Sequence, residues 1–203
     1  MKKNISLVIF TISLCFLLTS CVSLDKKYVT QQKFGLSVAP AKPIGKKNEK
    51  ILEIYYPEIG SQFAGSNFIY RSDELQYTSD YYNTFFISPV EQIYKNELKY
   101  LQSSELFKYI SPNVAPLKPN YILKTYVSEL YSDYRNGASP KAVMTIQFVL
   151  IDTTTLTPKI IFNKTLSKNQ PLTQKTSNAL VTAWNQELTS ILRQLSFLIQ
   201  KNI

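Results

Sequence analysis

Carboxylates are the main groups this sequence offers for acid–base chemistry, because it contains no histidine and only two cysteines. Histidine is the commonest general base near neutral pH and a frequent metal ligand. Catalysis would therefore need paired acids or a Ser–Lys dyad. The acidic candidates are Asp73, Glu74, Asp80, Glu129, Asp133 and Asp152. Asp73-Glu74 falls in a predicted turn, where carboxylates are ordinarily solvated. Asp152 precedes Thr153-Thr154 and is placed to accept turn amides. Glu129 and Asp133 share a predicted strand face four residues apart, roughly 13 Å, whereas a retaining glycosidase pair needs about 5 Å. The five glycines take no phosphate-loop spacing, and no acidic run matches a calcium loop. The chain is expected not to be an enzyme and to carry no metal or cofactor. Glu129 shares its face with Leu123 and Val127, and a carboxylate on an apolar face needs a partner. Arg71, at the end of a predicted hairpin strand, is the candidate for a structural ion pair with it.

The residue whose chemistry is best defined by its surroundings is Cys21. Lys2 and Lys3 precede an apolar run from Ile5 to Leu18, which ends in Leu18-Thr19-Ser20-Cys21. A spanning helix needs roughly 20 apolar residues, so this shorter run suits a cleaved signal peptide. Small residues before a cysteine let the chain lie extended in a peptidase groove and present the thiol for acylation. The pattern resembles the lipobox of bacterial lipoproteins. It predicts a signal peptide over residues 1–20, lipidation of Cys21 by fatty chains such as palmitate, and a tether over residues 21–32. Each buried methylene contributes about 0.8 kcal/mol, so two or three chains hold a protein stably at a bilayer. Val22, rather than aspartate, follows the cysteine, and by enteric sorting rules this favours the periplasmic face of the outer membrane. Cys15 leaves with the leader, so no internal disulfide is expected.

The net charge of +9 invites a nucleic-acid reading, but its placement argues against one. Lys2 and Lys3 belong to the leader, and Lys26, Lys27, Lys33, Lys42, Lys46, Lys47 and Lys50 face only Asp25 and Glu49 before residue 51. A nucleic-acid site should cluster its charge on folded structure. Basicity near an acylated end suits anionic headgroups or a solvated loop, and no nucleic-acid partner is expected.

The remainder, residues 33–203, reads as one α+β domain. Phe34, Leu36 and Val38 alternate as a first short strand, and Ile51 to Tyr56 forms the next, ended by Pro57. Asn67 to Arg71 and Leu75 to Thr78 read as a hairpin. Ser88-Pro89-Val90-Glu91 starts a helix with a capping box, followed on one face by Val90, Ile93, Tyr94, Leu98 and Leu101. Leu106 to Ile110 is a short strand. Tyr121 to Tyr134, Lys141 to Asp152 and Lys159 to Leu166 alternate and are joined by turns, predicting an antiparallel meander with one buried face. A long helix from about Ser177 to Gln200 carries the stripe Leu180, Trp184, Leu188, Ile191, Leu195 and Leu198, which should pack on the sheet. The expected architecture is an antiparallel sheet covered by two helices, the longer one C-terminal.

Aromatics concentrate between Tyr70 and Phe86. Core packing accounts for such a cluster, and so does a contact surface, where aromatic residues are enriched. Tyr81, Tyr82, Phe85 and Phe86 are the partner-binding candidates.

Several of these segments, in this order behind a lipobox, resemble the ABC-type transport auxiliary lipoproteins. The matching positions are Tyr70-Arg71, Tyr77, Asp80-Tyr81-Tyr82-Asn83, Pro89 and Leu106-Phe107, then Tyr121-Ile122-Leu123 through Val127 to Tyr134. Phe148 to Asp152 and Ala183-Trp184-Asn185 with Leu188 complete them. The family more often has a Trp-containing segment where this chain has Phe85-Phe86. The resemblance implies an accessory subunit of an MCE-type lipid-transport system. Such a subunit docks on the periplasmic conduit formed by an MCE-domain protein, can assemble as a homo-oligomeric ring, and positions the conduit at the outer membrane. A different envelope-assembly lipoprotein, such as an LPS-insertion partner or a pilotin, offers the alternative.

Overall fold

Alternating side chains shape the two long central strands most directly. In β7 (Tyr121–Asp133) the residues Tyr121, Leu123, Thr125 and Val127 are buried while Lys124 is exposed, and in β8 (Lys141–Asp152) Ala142, Met144, Ile146, Phe148 and Leu150 are fully buried. These strands pair antiparallel along their whole length, and β9 (Lys159–Pro171) pairs antiparallel with β8. This is the expected meander, with its third strand extended five residues past Leu166. The computed structural model describes residues 30–45, 47–113, 115–136 and 139–203. The signal segment 1–20, Cys21 and the tether up to Val29 lie outside the described residues.

The other edge of β7 is covered in stages. β2 (Asn48–Ile54), β3 (Glu58–Ile59) and β4 (Asn67–Arg71) each run parallel to β7, at Tyr121–Leu123, Tyr126–Val127 and Ser132–Asp133 in turn. A 3-10 turn, Ser61–Phe63, lies between β3 and β4. β5 (Tyr77–Phe85) folds back antiparallel on β4, and the short β1 (Gln32–Phe34) pairs parallel outside β5. β6 (Phe107–Ser111) pairs parallel outside β2. The nine-stranded sheet is therefore mixed rather than wholly antiparallel. Short alternating runs fix which side chains point inward but not the direction in which a strand runs, so these parallel pairings leave no mark in the sequence.

Two helices cover the sheet. α1 (Pro89–Ser103) has proline in its first turn, as expected, but Ser88 makes no side-chain cap and Glu91 bonds Lys95 at 2.9 Å instead of closing a capping box. Its buried face is Val90, Ile93, Glu97, Tyr100 and Leu101, whereas Tyr94 and Leu98 are only partly buried. α2 (Ser177–Asn202) starts at Thr176, whose hydroxyl accepts the Ala179 N–H, and packs on β8 and β9. Its stripe is buried from Leu180 through Leu195 and continues at Ile199, with Leu198 at the margin. Trp184 sits at the centre, 5.1 Å edge-on to Phe68 and 5.4 Å stacked on Phe85 between ring centroids. Among the described residues no helix is long and apolar enough to cross a membrane.

The strand expected through Phe34, Leu36 and Val38 ends at Phe34; Leu36 and Val38 are buried but belong to no strand. Their backbone is caught by side chains of α1. Gln92 Oε1 accepts the Leu36 N–H, Asn96 Oδ1 accepts the Val38 N–H at 2.8 Å, and Asn96 Nδ2 donates to the Leu36 carbonyl at 3.0 Å. Buried backbone groups must be paired, and here amide side chains do what a neighbouring strand would otherwise do.

Candidate interaction surface

Of the acidic residues singled out in the sequence, Glu74 and Asp133 meet on Arg135, and most have local partners. Asp73 accepts the Glu74 N–H in the β4–β5 turn at 2.7 Å. Asp152 accepts the Thr154 amide at 2.8 Å and its hydroxyl at 2.6 Å, the turn role expected of it. Asp133 binds Arg135 at 2.7 Å, which holds its carboxyl below the usual range.

The ion pair expected between Arg71 and Glu129 does not form. Arg71 bonds the Glu74 carboxylate at 3.1 Å and its carbonyl at 2.8 Å, with its guanidinium over the Tyr77 ring. Glu74 also takes Arg135 at 2.7 Å, so it bridges two arginines. Glu129 accepts the Thr145 hydroxyl at 2.6 Å. The cause is a β-bulge. Val127 pairs with Ile146 but Glu129 pairs with Thr145, so Ser128 is an extra residue in β7. One inserted residue reverses the alternation beyond it. Leu130 takes the core face, and Glu129 is relieved of the apolar environment that seemed to demand a cation.

The aromatic candidates are organised by a second irregularity. β4 and β5 pair at Ile69–Ser79 and again at Asn67–Thr84, a slip that leaves residues 80–83 out of the ladder. Asp80 closes this bulge. Its Oδ1 accepts the backbone N–H groups of Tyr82 and Asn83 at 2.7 and 3.1 Å. Its Oδ2 accepts the Tyr70 hydroxyl at 2.7 Å and the Asn83 side-chain amide at 2.8 Å. Burial works against the charge on Asp80, but these hydrogen bonds outweigh it and hold the carboxyl below the usual range. Burial, with Asp80 beside it, pushes the Tyr70 phenol up.

The bulge directs two consecutive tyrosines outward. Tyr81 is 67% exposed and Tyr82 49%, and their rings meet edge-on with centroids 5.3 Å apart. Phe86, just past the end of β5, is 67% exposed. Phe85 departs from the expectation of a partner-binding residue. It is buried between Phe68 and Trp184 and belongs to the core, beside Thr84, which is buried as well. β1 lies along this surface. Gln31 Nε2 donates to the Tyr81 carbonyl at 3.0 Å, and the Phe86 N–H donates to the Phe34 carbonyl at 2.7 Å. The folded unit Gln31–Ile203 thus begins beside the exposed aromatics.

Three features are not apparent from the sequence. Glu97, on the core face of α1, is fully buried, and its Oε1 accepts the Thr125 hydroxyl at 2.8 Å. Burial pushes its carboxyl up to about 8, against the Thr125 hydrogen bond. Glu187 of α2 is also buried and is pushed up to about 8 by desolvation. Each follows an apolar residue by helical spacing, Glu97 after Ile93 and Glu187 after Trp184, and this was the available signal. The docking of Gln31 on a backbone carbonyl left no signal in the side-chain pattern.

No family model and no curated protein matches the chain. Solved structures do. A Xanthomonas campestris protein of family DUF330 superposes with TM-score 0.72 at 14% identity, covering 84% of this chain and 96% of its own. An uncharacterized protein gives TM-score 0.62 at 16% identity over 82% and 99% of the two chains. A hypothetical protein of Chlamydia trachomatis gives 0.52 at 12% identity over 76% and 98%. At these identities the likeness is one of fold: the same α+β architecture, spanning nearly the whole of each of those chains.

Proposed function

We propose that this chain is a lipid-anchored accessory protein of the bacterial envelope, acylated at Cys21, and within that class a non-enzymatic auxiliary subunit of an MCE-type ABC lipid-transport system. The observation that carries the reading is the leader ending in Leu18-Thr19-Ser20-Cys21, followed within a dozen residues by a folded unit that begins at Gln31. Fold similarity to the DUF330 protein supports it. So does the place of the family-like residues in the fold. Tyr70 and Asp80 bond each other, the Val127 to Tyr134 segment contains the β7 bulge, and Trp184 centres the core. The mechanism is positional. Acyl chains fix one end at the outer membrane, and the folded unit holds the MCE-domain conduit near it, as one copy of a ring.

The test is a crosslinked pull-down of the full chain from membranes, with mass spectrometry of its N-terminal peptide. A diacylglyceryl-modified Cys21 and an MCE-domain protein among the crosslinked partners are expected. An unmodified chain that retains its leader overturns the envelope reading. An acylated chain crosslinked instead to an outer-membrane barrel or secretin overturns the transport assignment alone.

A further inference from the structure

We infer that Tyr81, Tyr82 and Phe86 form a membrane-facing foot that beds in the phospholipid headgroup region beside the acyl anchor. The inference rests on acylation at Cys21 and adds to it an orientation of the folded unit. Gln31 lies ten positions after Cys21, a reach of roughly 35 Å at full extension. Gln31 is bonded to the Tyr81 carbonyl, and β1 then runs to Phe34, whose carbonyl takes the Phe86 N–H. The exposed aromatics therefore line the strand into which the tether runs. They stay within that reach of the bilayer, and so short a linker gives the second contact a high effective concentration.

The chemistry of the patch fits that site. Tyrosine has an apolar body and a polar tip and gains by lying where one end is dry and the other wet. Lys33 on β1 is exposed, and Lys26 and Lys27 precede it in the tether, so phosphate-bearing headgroups meet cations on the approach. The nearby carboxylate, Asp80, has both oxygens committed inside the bulge. The most exposed large apolar residues, Leu75 and Leu156, sit in the β4–β5 and β8–β9 turns.

The test uses the full acylated chain in vesicles of phosphatidylethanolamine and phosphatidylglycerol with brominated acyl chains. Native Trp184 is fully buried and supplies a constant background. Single tryptophans are introduced as Tyr82→Trp and, independently, Phe86→Trp, with Leu156→Trp in the β8–β9 turn as the reference. Expected are a blue shift and bromine quenching for the first two and water-like, unquenched emission for the third. Vesicle-bound protein in which all three behave like the reference overturns the foot while leaving the anchor intact. Protein that fails to float with the vesicles overturns the acylation and the foot together. Shielding of Tyr82→Trp that grows with protein-to-lipid ratio, without bromine quenching, assigns the patch to contact between copies and overturns the proposal.

Discussion

The Asp80 carboxylate accepts the Tyr82 backbone N–H at 2.7 Å, and this one contact decides how the aromatic segment is presented. With it, residues 80–83 leave the β4–β5 ladder and two tyrosines point outward. Asp80→Ala removes four hydrogen bonds to an ionised acceptor, the one from the Tyr70 hydroxyl among them. A loss of about 2–3 kcal/mol in urea unfolding is expected, in line with charge-assisted bonds at a partly buried site. The pH dependence has a definite sign. The folded carboxyl lies below its ordinary 3.8, so its contribution is present above that value and is lost as pH falls through the folded one. Acid unfolding of Asp80→Asn should therefore be shallower than that of the parent chain.

Phe85 and Phe86 are neighbours in sequence with opposite fates. Phe85→Ala empties a site between Phe68 and Trp184 and should cost about 3–5 kcal/mol. Phe86→Ala changes an exposed side chain and should stay within about 0.5 kcal/mol. Thermal melts of the two variants check this, and comparable losses would contradict the assignment of Phe86 to the surface.

The contrast also shows what the sequence could reveal. Strands β7 and β8, the start of α1 and the stripe of α2 repeat over enough residues for period and face to be read directly. A cluster of aromatics does not tell which of its members faces the core, so Phe85 is not separable from Phe86 in the sequence, and Glu129 seems to need a cation because a bulge in β7 shifts alternation by a residue. The cause of a bulge lies in hydrogen bonds such as those of Asp80, which no periodicity records. The parallel placement of β2, β3 and β4 along β7 was illegible because each run is short and direction is settled by distant pairing. The buried glutamates were hidden differently. Glu97 reads as surface charge, while Tyr94 and Leu98 seem to define the apolar face that Glu97 in fact occupies.

Glu97 and Glu187 make alkaline pH unfavourable to the fold. Burial raises each carboxyl from the ordinary 4.5 to about 8. A raised folded pKa means stability that is fully present below the unfolded value and is lost as pH rises toward the folded one. The melting temperature should thus decline between about pH 5 and pH 8 and level off beyond. Glu97→Gln keeps an acceptor for Thr125 and cannot ionise, so its decline should be shallower, and the double variant with Glu187→Gln shallower still. Melting curves across that pH range decide it; parallel curves for parent and variants would show that neither group titrates there.

Asn96 holds the chain between β1 and β2 against α1, and the identity of its side-chain atoms makes the arrangement testable. Oδ1 serves the Val38 N–H, while Nδ2 serves the carbonyls of Leu36 and Gln92. Asn96→Ala leaves the N–H of a buried residue without its acceptor, a cost of about 1–3 kcal/mol, and Val38 should lose amide hydrogen-exchange protection. Asn96→Asp preserves the acceptor but removes the donor, so the Val38 amide should remain protected while overall stability drops. If Val38 stays equally protected in both variants, the segment is held by the packing of Leu36 and Val38 alone. Retained protection only in Asn96→Asp assigns the restraint to the hydrogen bond, and with it the path by which the tether end of the chain is fixed to the helical layer.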